Sequence, residues 1–256
     1  MRLNILDIPI DVLTRKSTLL KIEEFLRSAG QFHVMTPNPE MLVEARNNPE
    51  FKKVLQESDL NIPDGTGLVF FIRKIIKESD RGSRIADRIE RVTGTDIMQD
   101  ICSRTSERVF LLGAATGIAE EASKRLKERN PSLQIVGTYT GSPKEEDENI
   151  ILEKINSCSP TLLFVAYGAP AQDMWISRNL EKLPSVKIAM GIGGAFDFIS
   201  GKRKRAPKWI QKLGLEWLFR LMLEPRRIKR IWRAVVVFPI VARSSCSAQD
   251  GNKISS

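Results

Sequence analysis

The sequence predicts an α/β fold built on a parallel or mostly parallel sheet with helices on both faces. The first observation is that short apolar segments alternate with helical segments between residues 32 and 190, as they do in βαβ units. The second is that two helical segments follow residue 201 with no strand between them. We therefore expect an α/β domain (1–200), a basic amphipathic helical appendage (201–243) and a Ser-rich, disordered tail (244–256).

Turn and cap residues place the individual elements. Residues 3–9 are predicted to form the first strand, and Ser17 is expected to cap a helix that ends at Leu26. Pro39 and Pro49 each open a helix, because proline is favoured in the first helical turn. Further strands are expected at 32–35, 60–62, 108–112, 133–136, 161–166 and 186–190. Further helices are expected at 39–46, 49–57, 67–77, 97–104, 117–129, 143–156, 170–180, 207–223 and 225–237.

The positive charge of the chain is concentrated in one segment. The 256 residues include 40 Lys and Arg against 31 Asp and Glu, for a net charge of +9. Twelve of the basic residues lie within 201–233, where the only acids are Glu216 and Glu224. A local basic patch favours a polyanionic partner, which is a phosphate group, an anionic membrane surface or a nucleic acid.

Cysteine usage and hydropathy indicate a cytoplasmic protein. The three cysteines are odd in number and lack metal or CxxC spacing, so we expect reduced, inert thiols. The N-terminus lacks the pattern of a signal peptide. The longest apolar run, 234–242, has nine residues and includes Pro239, well short of the ~20 residues that span a bilayer. Any membrane contact is therefore expected to be peripheral.

Three polar side chains are predicted to meet at one edge of the sheet. Thr36 and Asn38 follow the strand at 32–35, and Asp64 follows the strand at 60–62. The carboxyl ends of strands are where open α/β sheets bind their ligands. One carboxylate beside two neutral hydrogen-bonding groups therefore indicates a candidate active site.

Glycine-rich turns follow three other strands. They are Gly113 to Gly117, Gly168 to Gln172, and Gly191 to Asp197, the last of which includes Gly193 and Gly194. Glycines at such positions let backbone amides approach a phosphate, and three on one edge suggest a nucleotide or phosphate site. Each turn alone is equally well explained as a plain βα connection, and Gln172 as an exposed first-turn residue.

Other residue types narrow the chemistry. Arg91 can pair bidentately with a diphosphate or a carboxylate, although a surface arginine is the simpler interpretation. His33 is the only histidine and lies in an apolar strand, where a hydrogen-bonded structural role is expected. Because no Asp-x-Asp pair is present, we expect no metal and no cofactor. A diphosphate would then be neutralised by Arg, Lys and backbone amides.

The appendage combines arginines with apolar surface. Arg220, Arg227 and Arg230 would lie close to one face if a single helix continued through Pro225. Trp209, Trp232 and many aliphatic residues provide apolar area. This combination is typical of a helix that lies on an anionic membrane. Packing onto the sheet domain and an RNA-binding tail are the alternatives.

At this point the motifs resemble those of the WecG/TagA/CpsF glycosyltransferases (glycosyltransferase family 26). Six blocks occur in the order seen in that family: TPN at 36–38, PDGTG at 63–67, RVTGTD at 91–96, LLG at 111–113, GAPAQ at 168–172 and GGAFD at 193–197. KRAP at 204–207 and LGLEWLFRL at 213–221 are also similar. The resemblance covers roughly residues 3 to 233.

The resemblance implies a Rossmann-like core and an inverting, metal-independent sugar transfer. The family uses UDP-sugars and undecaprenyl-diphosphate-linked acceptors at the inner face of the bacterial membrane. Its TagA branch, which this chain resembles most, moves N-acetylmannosamine to the 4-hydroxyl of lipid-linked N-acetylglucosamine in teichoic acid and cell-wall synthesis. The appendage would dock on the membrane and complete the site. A homodimer off the membrane is a further expectation.

Site roles carry over at matching positions. Asp64 matches the general base, and Thr36, Asn38, Arg91 and Gln172 match donor-binding positions, with Gly113, Gly193 and Gly194 in the neighbouring motifs. Arg220, Arg227 and Arg230 match residues that neutralise diphosphate. The chain departs from the family at Ser142 and Pro143, where an aromatic pair is usual. Another donor (UDP-N-acetylmannosaminuronate or UDP-glucose) and a non-catalytic nucleotide- or RNA-binding protein remain the alternatives.

Overall fold

The computed structural model describes residues 1–78, 89–207, 209–210, 213–225 and 228–243, with only the backbone of residue 220. The strands are β1 (Arg2–Ile5), β2 (Ile8–Asp11), β3 (Phe32–Met35), β4 (Leu60–Asn61), β5 (Arg108–Gly113), β6 (Gln134–Tyr139), β7 (Leu162–Ala166) and β8 (Ile188–Gly191). The first helices are α1 (Arg15–Arg27), α2 (Pro39–Asn47), α3 (Pro49–Glu57), α4 (Thr66–Glu78), α5 (Gly94–Arg104) and α6 (Ile118–Arg129). They are followed by α7 (Glu145–Cys158), α8 (Ala171–Asn179), α9 (Ala195–Ile199), α10 (Glu216–Leu223) and α11 (Ile228–Trp232).

Six strands form a parallel sheet, which confirms the predicted α/β class. Their order is β4-β3-β8-β7-β5-β6, and every neighbouring pair is parallel. The crossover after β5 leads to β6 on one side, whereas the crossover after β7 leads to β8 on the other. Such a reversal opens a crevice at the carboxyl ends of the strands.

Helices bury both faces of this sheet. Successive strand residues point to opposite faces, so Phe164 packs in one apolar cluster and Val165 in another. Helices α1, α5 and α6 contribute to the first cluster, and α7 and α8 contribute to the opposite one. The predicted covering of both faces is therefore confirmed.

The N-terminal region differs from the prediction. The expected single strand at 3–9 is wrong, because the chain reverses at Leu6 and Asp7, whose φ angles are 55° and 62°. Strands β1 and β2 pair antiparallel on either side of this turn in a sheet of their own. The expected cap of α1 is also wrong: Oγ1 of Thr14 accepts the backbone N–H of Ser17.

The helical appendage differs as well. The helix expected at 207–223 is interrupted: residues 209–210 are helical, Gly214 takes a φ of 73°, and a separate helix begins at Glu216. The second helix starts at Ile228, passes through a π-helical turn at Arg233–Val237 and continues to residue 243. The wider π turn ends two residues before Pro239, whose ring and missing N–H disfavour a regular α-helical turn.

The appendage packs on the α/β core through its second helix. Phe238 is fully buried, and its ring meets that of Phe71 edge-on with centroids 5.5 Å apart. Within the described parts of the chain, no helix is both long and apolar enough to cross a membrane. The boundary at residue 200 stays a prediction, and the tail expected to be disordered lies outside the described residues.

Candidate active site

Main-chain hydrogen bonds fix the position of Asp64. The short strand β4 pairs with β3, and the two segments stay connected beyond their ends. The N–H of Ile62 donates to the carbonyl of Met35 at 2.9 Å, and the N–H of Asp64 donates to the carbonyl of Pro37 at 2.8 Å. Asp64 therefore lies beside the 36–38 turn at the carboxyl edge of the sheet, as predicted.

Asn38 and Thr36 occupy the turn next to Asp64. The side-chain oxygen of Asn38 accepts the N–H of Met41 at 3.1 Å and so caps α2. Thr36 faces the start of α5, since a Cβ built on Gly94 would lie 3.1 Å from the Thr36 hydroxyl. Both positions were predicted as strand-end residues, and the structure places them there.

Arg91 lies between two carboxylates. Its Nη2 donates to Oε2 of Glu216 at 2.6 Å, and its Nε lies 3.8 Å from Oδ1 of Asp64. Burial by itself would lower the pKa of Arg91, but the charges of Asp64 and Glu216 raise it above its ordinary value. Arg91 is therefore held in the charged form beside Asp64, and the interpretation as a plain surface arginine is wrong.

Glu216 is the site residue that the sequence reasoning missed. It is 3% exposed and comes from α10 in the appendage, yet it contacts Arg91 of the α/β domain. A signal was present in the sequence, because Glu216 is one of two acids in a strongly basic segment. An acid retained in such a segment points to a specific cationic partner.

A second ion pair joins the appendage segment to the start of α5. Nη1 and Nη2 of Arg205 donate to the Asp96 carboxylate at 2.5 and 3.0 Å. Burial would raise the pKa of Asp96, but hydrogen bonds from Arg205 and Thr93 lower it below its ordinary value. The two pairs influence each other electrostatically, since the charges of Glu216 and Asp64 also raise the pKa of Arg205.

Gln172 connects two glycine-rich turns. Its side-chain oxygen accepts the N–H of Gly168 at 3.1 Å and the N–H of Gly193 at 2.9 Å. Gln172 is only 4% exposed, so its interpretation as an exposed first-turn residue is wrong. Both glycines have positive φ angles, 81° and 52°, which other residues rarely adopt. The amide thus aligns the ends of β7 and β8.

The glycines at the strand ends serve different purposes. A Cβ on Gly113 would lie 2.9 Å from the backbone of Ala166, so close strand packing explains this glycine. A Cβ on Gly193 would meet nothing within 4 Å, which leaves its backbone open to approach. Gly194 directly precedes α9, and a Cβ built on it would lie 3.5 Å from the carboxylate of Asp197.

The structure describes one of the three appendage arginines fully. Nε of Arg230 pairs with Oε1 of Glu40 at 2.5 Å, beside the site. The side chain of Arg220 and the whole of Arg227 lie outside the described residues. Two helices are present, as predicted: α10 ends at Leu223 and α11 begins at Ile228. The condition for placing the three arginines on one helical face, a single helix through Pro225, is therefore not met.

Five of the residues described above line one cleft of about 590 Å³. Asn38, Asp64, Arg91, Glu216 and Arg230 all line it. The remaining predicted positions, Thr36, Gln172 and the three glycines, are not among its lining residues. The volume lies in the range of about 300–1,000 Å³ typical of small-ligand pockets.

His33 and the cysteines were expected to be structural and inert. His33 is buried, but the expectation that it is hydrogen-bonded through its ring is wrong for Nε2. This atom lies 3.7 Å from Oδ1 of Asp173, and neither has a hydrogen-bond partner among the described residues. Burial raises the pKa of the Cys102 thiol to about 12, which keeps it protonated and unreactive. The described residues contain no group of three or more His, Cys, Asp or Glu that could hold a metal ion.

This geometry defines a class of site. A carboxylate can accept a proton from a bound hydroxyl, and arginines beside it can stabilise a phosphorylated leaving group. An α/β fold with both groups at the carboxyl edge of its sheet is suited to group transfer from a nucleotide-linked donor.

Comparison with known proteins gives the family. The model of the glycosyl transferase WecG/TagA/CpsF family matches residues 3–250, so the chain belongs to this family. A relative from Bacillus spizizenii (strain W23) is 32% identical over 93% of this chain and 87% of its own length. A relative from Bacillus subtilis (strain 168) is 31% identical over 77% of this chain and 74% of its own length. One from Staphylococcus aureus (strain MRSA252) is 28% identical over 93% of this chain and 90% of its own length. All three are named N-acetylglucosaminyldiphosphoundecaprenol N-acetyl-beta-D-mannosaminyltransferase.

Proposed function

We propose that this protein transfers N-acetylmannosamine from UDP-N-acetylmannosamine to the 4-hydroxyl of undecaprenyl-diphosphate-linked N-acetylglucosamine. The family membership and the shared name of the relatives support the reaction class and the acceptor. The observation that carries the proposal is the placement of Asp64 beside Arg91 in one cleft. This reaction belongs to the synthesis of the teichoic acid linkage unit.

In this mechanism Asp64 is the general base. Its carboxylate accepts the proton of the acceptor 4-hydroxyl while the oxygen attacks the anomeric carbon of the donor. The bond from that carbon to the UDP oxygen breaks on the opposite face, so the configuration inverts. The bonding electrons leave with UDP. We assign no step to a metal.

The diphosphate charge that develops on UDP requires cations. Arg91 lies 3.8 Å from the Asp64 carboxylate and lines the cleft, so it can neutralise a phosphate oxygen of UDP. Arg220 and Arg227 are proposed for the same role. Thr36, Asn38 and Gln172 would hold the donor, and the backbone at Gly193 and Gly194 would approach its phosphates. Gly113, which packs against Ala166, is left with a structural role.

The protein is proposed to act as a peripheral protein at the inner face of the membrane. Exposed apolar side chains on the appendage support this proposal, including Met222 (76% exposed) and Trp232 (61% exposed). Basic residues flank them, as in helices that bind anionic lipid. A homodimer off the membrane stays a prediction.

A donor screen tests the reaction. Purified protein is mixed with a lipid-diphosphate N-acetylglucosamine acceptor and one UDP-sugar at a time, and UDP release and product mass are measured. We expect transfer from UDP-N-acetylmannosamine. A higher kcat/KM with UDP-N-acetylmannosaminuronate or UDP-glucose would identify that sugar nucleotide as the donor instead. Absence of transfer, together with salt-sensitive RNA binding, would contradict the transferase proposal.

A pair of variants tests membrane binding. Met222→Ser/Trp232→Ser should lower binding to vesicles of anionic phospholipid, measured by flotation, because it removes exposed apolar area. Ile150→Ser is the matched control, since Ile150 is half-exposed on α7 of the α/β domain. Unchanged flotation of the double variant would contradict the proposal. Truncation is less informative, because it also removes the buried Phe238.

A further inference from the structure

The cleft at Asp64 has two chemically different parts. Its polar part contains Asn38, Asp64, Arg91 and Glu216, which belong to the site described above. Its other part runs between α4 and the second helix of the appendage. Apolar side chains from both helices and from α10 line this part, namely Phe70, Trp217, Ile231, Ala234, Val235 and Pro239. We call this part the apolar groove.

The walls of the apolar groove are unusually exposed. Phe70 on α4 is 71% exposed and Val235 on the facing helix 44%. Single exposed apolar residues are ordinary, but several that line one concavity mark a ligand site. The groove therefore has the character of a binding surface for hydrocarbon.

Small residues, Gly67 and Ala234, line the apolar groove where its two helices approach each other. A Cβ built on Gly67 would lie 3.9 Å from the carbonyl oxygen of Ala234, so the two helices approach closely there. Beneath them, the edge-on contact between Phe71 and Phe238 forms a packed floor. A larger side chain at Ala234 would fill the space between the walls.

We propose that the apolar groove binds the isoprenyl units next to the diphosphate of the lipid-linked acceptor. This inference rests on the proposed function. A polyprenyl diphosphate has an anionic head and a hydrocarbon tail, and the cleft offers the same two parts in continuity. The head would lie near Arg230, whose partner in the structure is Glu40, and a phosphate oxygen would take the place of that carboxylate.

The size and position of the groove define what it holds. A cleft of about 590 Å³ must also accommodate the sugar and the diphosphate, so only the first units of the chain fit. The rest of the chain would remain in the bilayer. Met222 and Trp232, which we assign to membrane contact, do not line the cleft. The groove thus selects the chain, whereas the outer surface binds the bilayer.

Water-soluble acceptors separate these two roles. N-acetylglucosamine diphosphate is prepared with a geranyl chain and with a propyl chain, and kcat/KM is measured without membranes or detergent. Each buried methylene contributes about fourfold, so the wild type should prefer geranyl by at least about tenfold. Equal kcat/KM for both acceptors would overturn the inference.

Ala234→Phe tests the position of the groove. We expect the geranyl preference to fall to about unity because the new ring occupies the chain site. Ile240→Phe is the control, since Ile240 lies on the same helix, is exposed and does not line the cleft. The inference is overturned if Ala234→Phe keeps the preference or Ile240→Phe loses it equally.

Two further measurements keep the outcome decisive. Phe70→Ser alters an exposed wall residue and should also lower the geranyl preference, so the inference can be tested even if Ala234→Phe fails to fold. If no acceptor is glycosylated by any donor, the proposed function fails. Calorimetric titration with geranyl diphosphate then tests the groove alone. Weaker binding by Phe70→Ser would support the groove, and equal binding would refute it.

Discussion

The two halves of the candidate active site are held in place by different forces. On the sheet side, main-chain hydrogen bonds between the 36–38 turn and residues 62–64 fix Asp64. On the appendage side, ion pairs attach Glu216 to Arg91 and Arg230 to Glu40. The side chains of Arg230 and Glu40 are 49% and 23% exposed. Salt therefore weakens this ion pair more than it weakens a buried main-chain hydrogen bond. Asp64, the proposed base, is thus held by main-chain bonds, whereas the Arg230–Glu40 pair near it is open to screening by salt.

The largest effect is expected on the fixed half. Asp64→Asn should lower kcat by about 10² to 10⁴-fold, since the amide cannot accept the proton, while the free energy of unfolding stays close to that of the wild type. UDP release measures the first quantity and urea unfolding the second. Asp7→Asn is the matched control, because Asp7 pairs only with Lys52 on the surface among the pairs described. Near-normal turnover by Asp64→Asn would exclude Asp64 as the base.

Glu216→Gln is expected to have the next largest effect. The loss of this carboxylate lets the Arg91 guanidinium move toward Asp64, and a closer ion pair makes Asp64 a weaker base. We expect kcat to fall about tenfold and the free energy of unfolding to fall by about 1–3 kcal/mol. Glu224→Gln is the control, since Glu224 pairs with Arg203 at the surface. Equal effects of the two substitutions would contradict a specific role for Glu216.

The pair between Arg205 and Asp96 predicts a pH dependence of stability. The folded-state pKa of Asp96 is lowered, so its stabilising contribution is present above the ordinary pKa near 3.8. The contribution disappears as the pH falls through the folded-state value. Asp96→Asn should therefore lose about 1–3 kcal/mol at pH 7 and less at pH 3. Urea unfolding at both pH values checks this; an equal loss at both would contradict it.

The smallest effect is expected at the exposed pair between Arg233 and Glu44, which are 2.7 Å apart. Glu44→Gln should lower the free energy of unfolding by less than about 1 kcal/mol. The difference should vanish near 1 M salt, where the screening length is about 3 Å. Urea unfolding at low and high salt measures it. A loss that is independent of salt would show that this contact is not held by charge.

The sheet and its strand ends could be predicted because local patterns specify them. Alternating apolar and helical segments require parallel strands, and polar residues after a strand must lie at its carboxyl edge. Asp64 was found in this way. The hairpin was missed because Leu6 and Asp7 lack the Asn-Gly or Asp-Gly signal of a two-residue turn.

The appendage half could not be predicted in the same way. Glu216 and Arg91 are 125 positions apart in the chain, and no periodicity relates them. The buried role of Gln172 also depends on two turns that meet only in the fold. The break before α10 did carry a signal, Gly214, whose positive φ ends the preceding turn.

The most direct test of the joint site is a double-mutant cycle on kcat with Asp64→Asn and Glu216→Gln. If Glu216 acts on the base through Arg91, its removal should matter little once Asp64 no longer accepts the proton. We expect the double variant to be about as active as Asp64→Asn alone, a coupling energy of about 1.4 kcal/mol. If the reduction in kcat of the double variant equals the product of the two single-variant reductions, the two halves act independently. That result would contradict this arrangement.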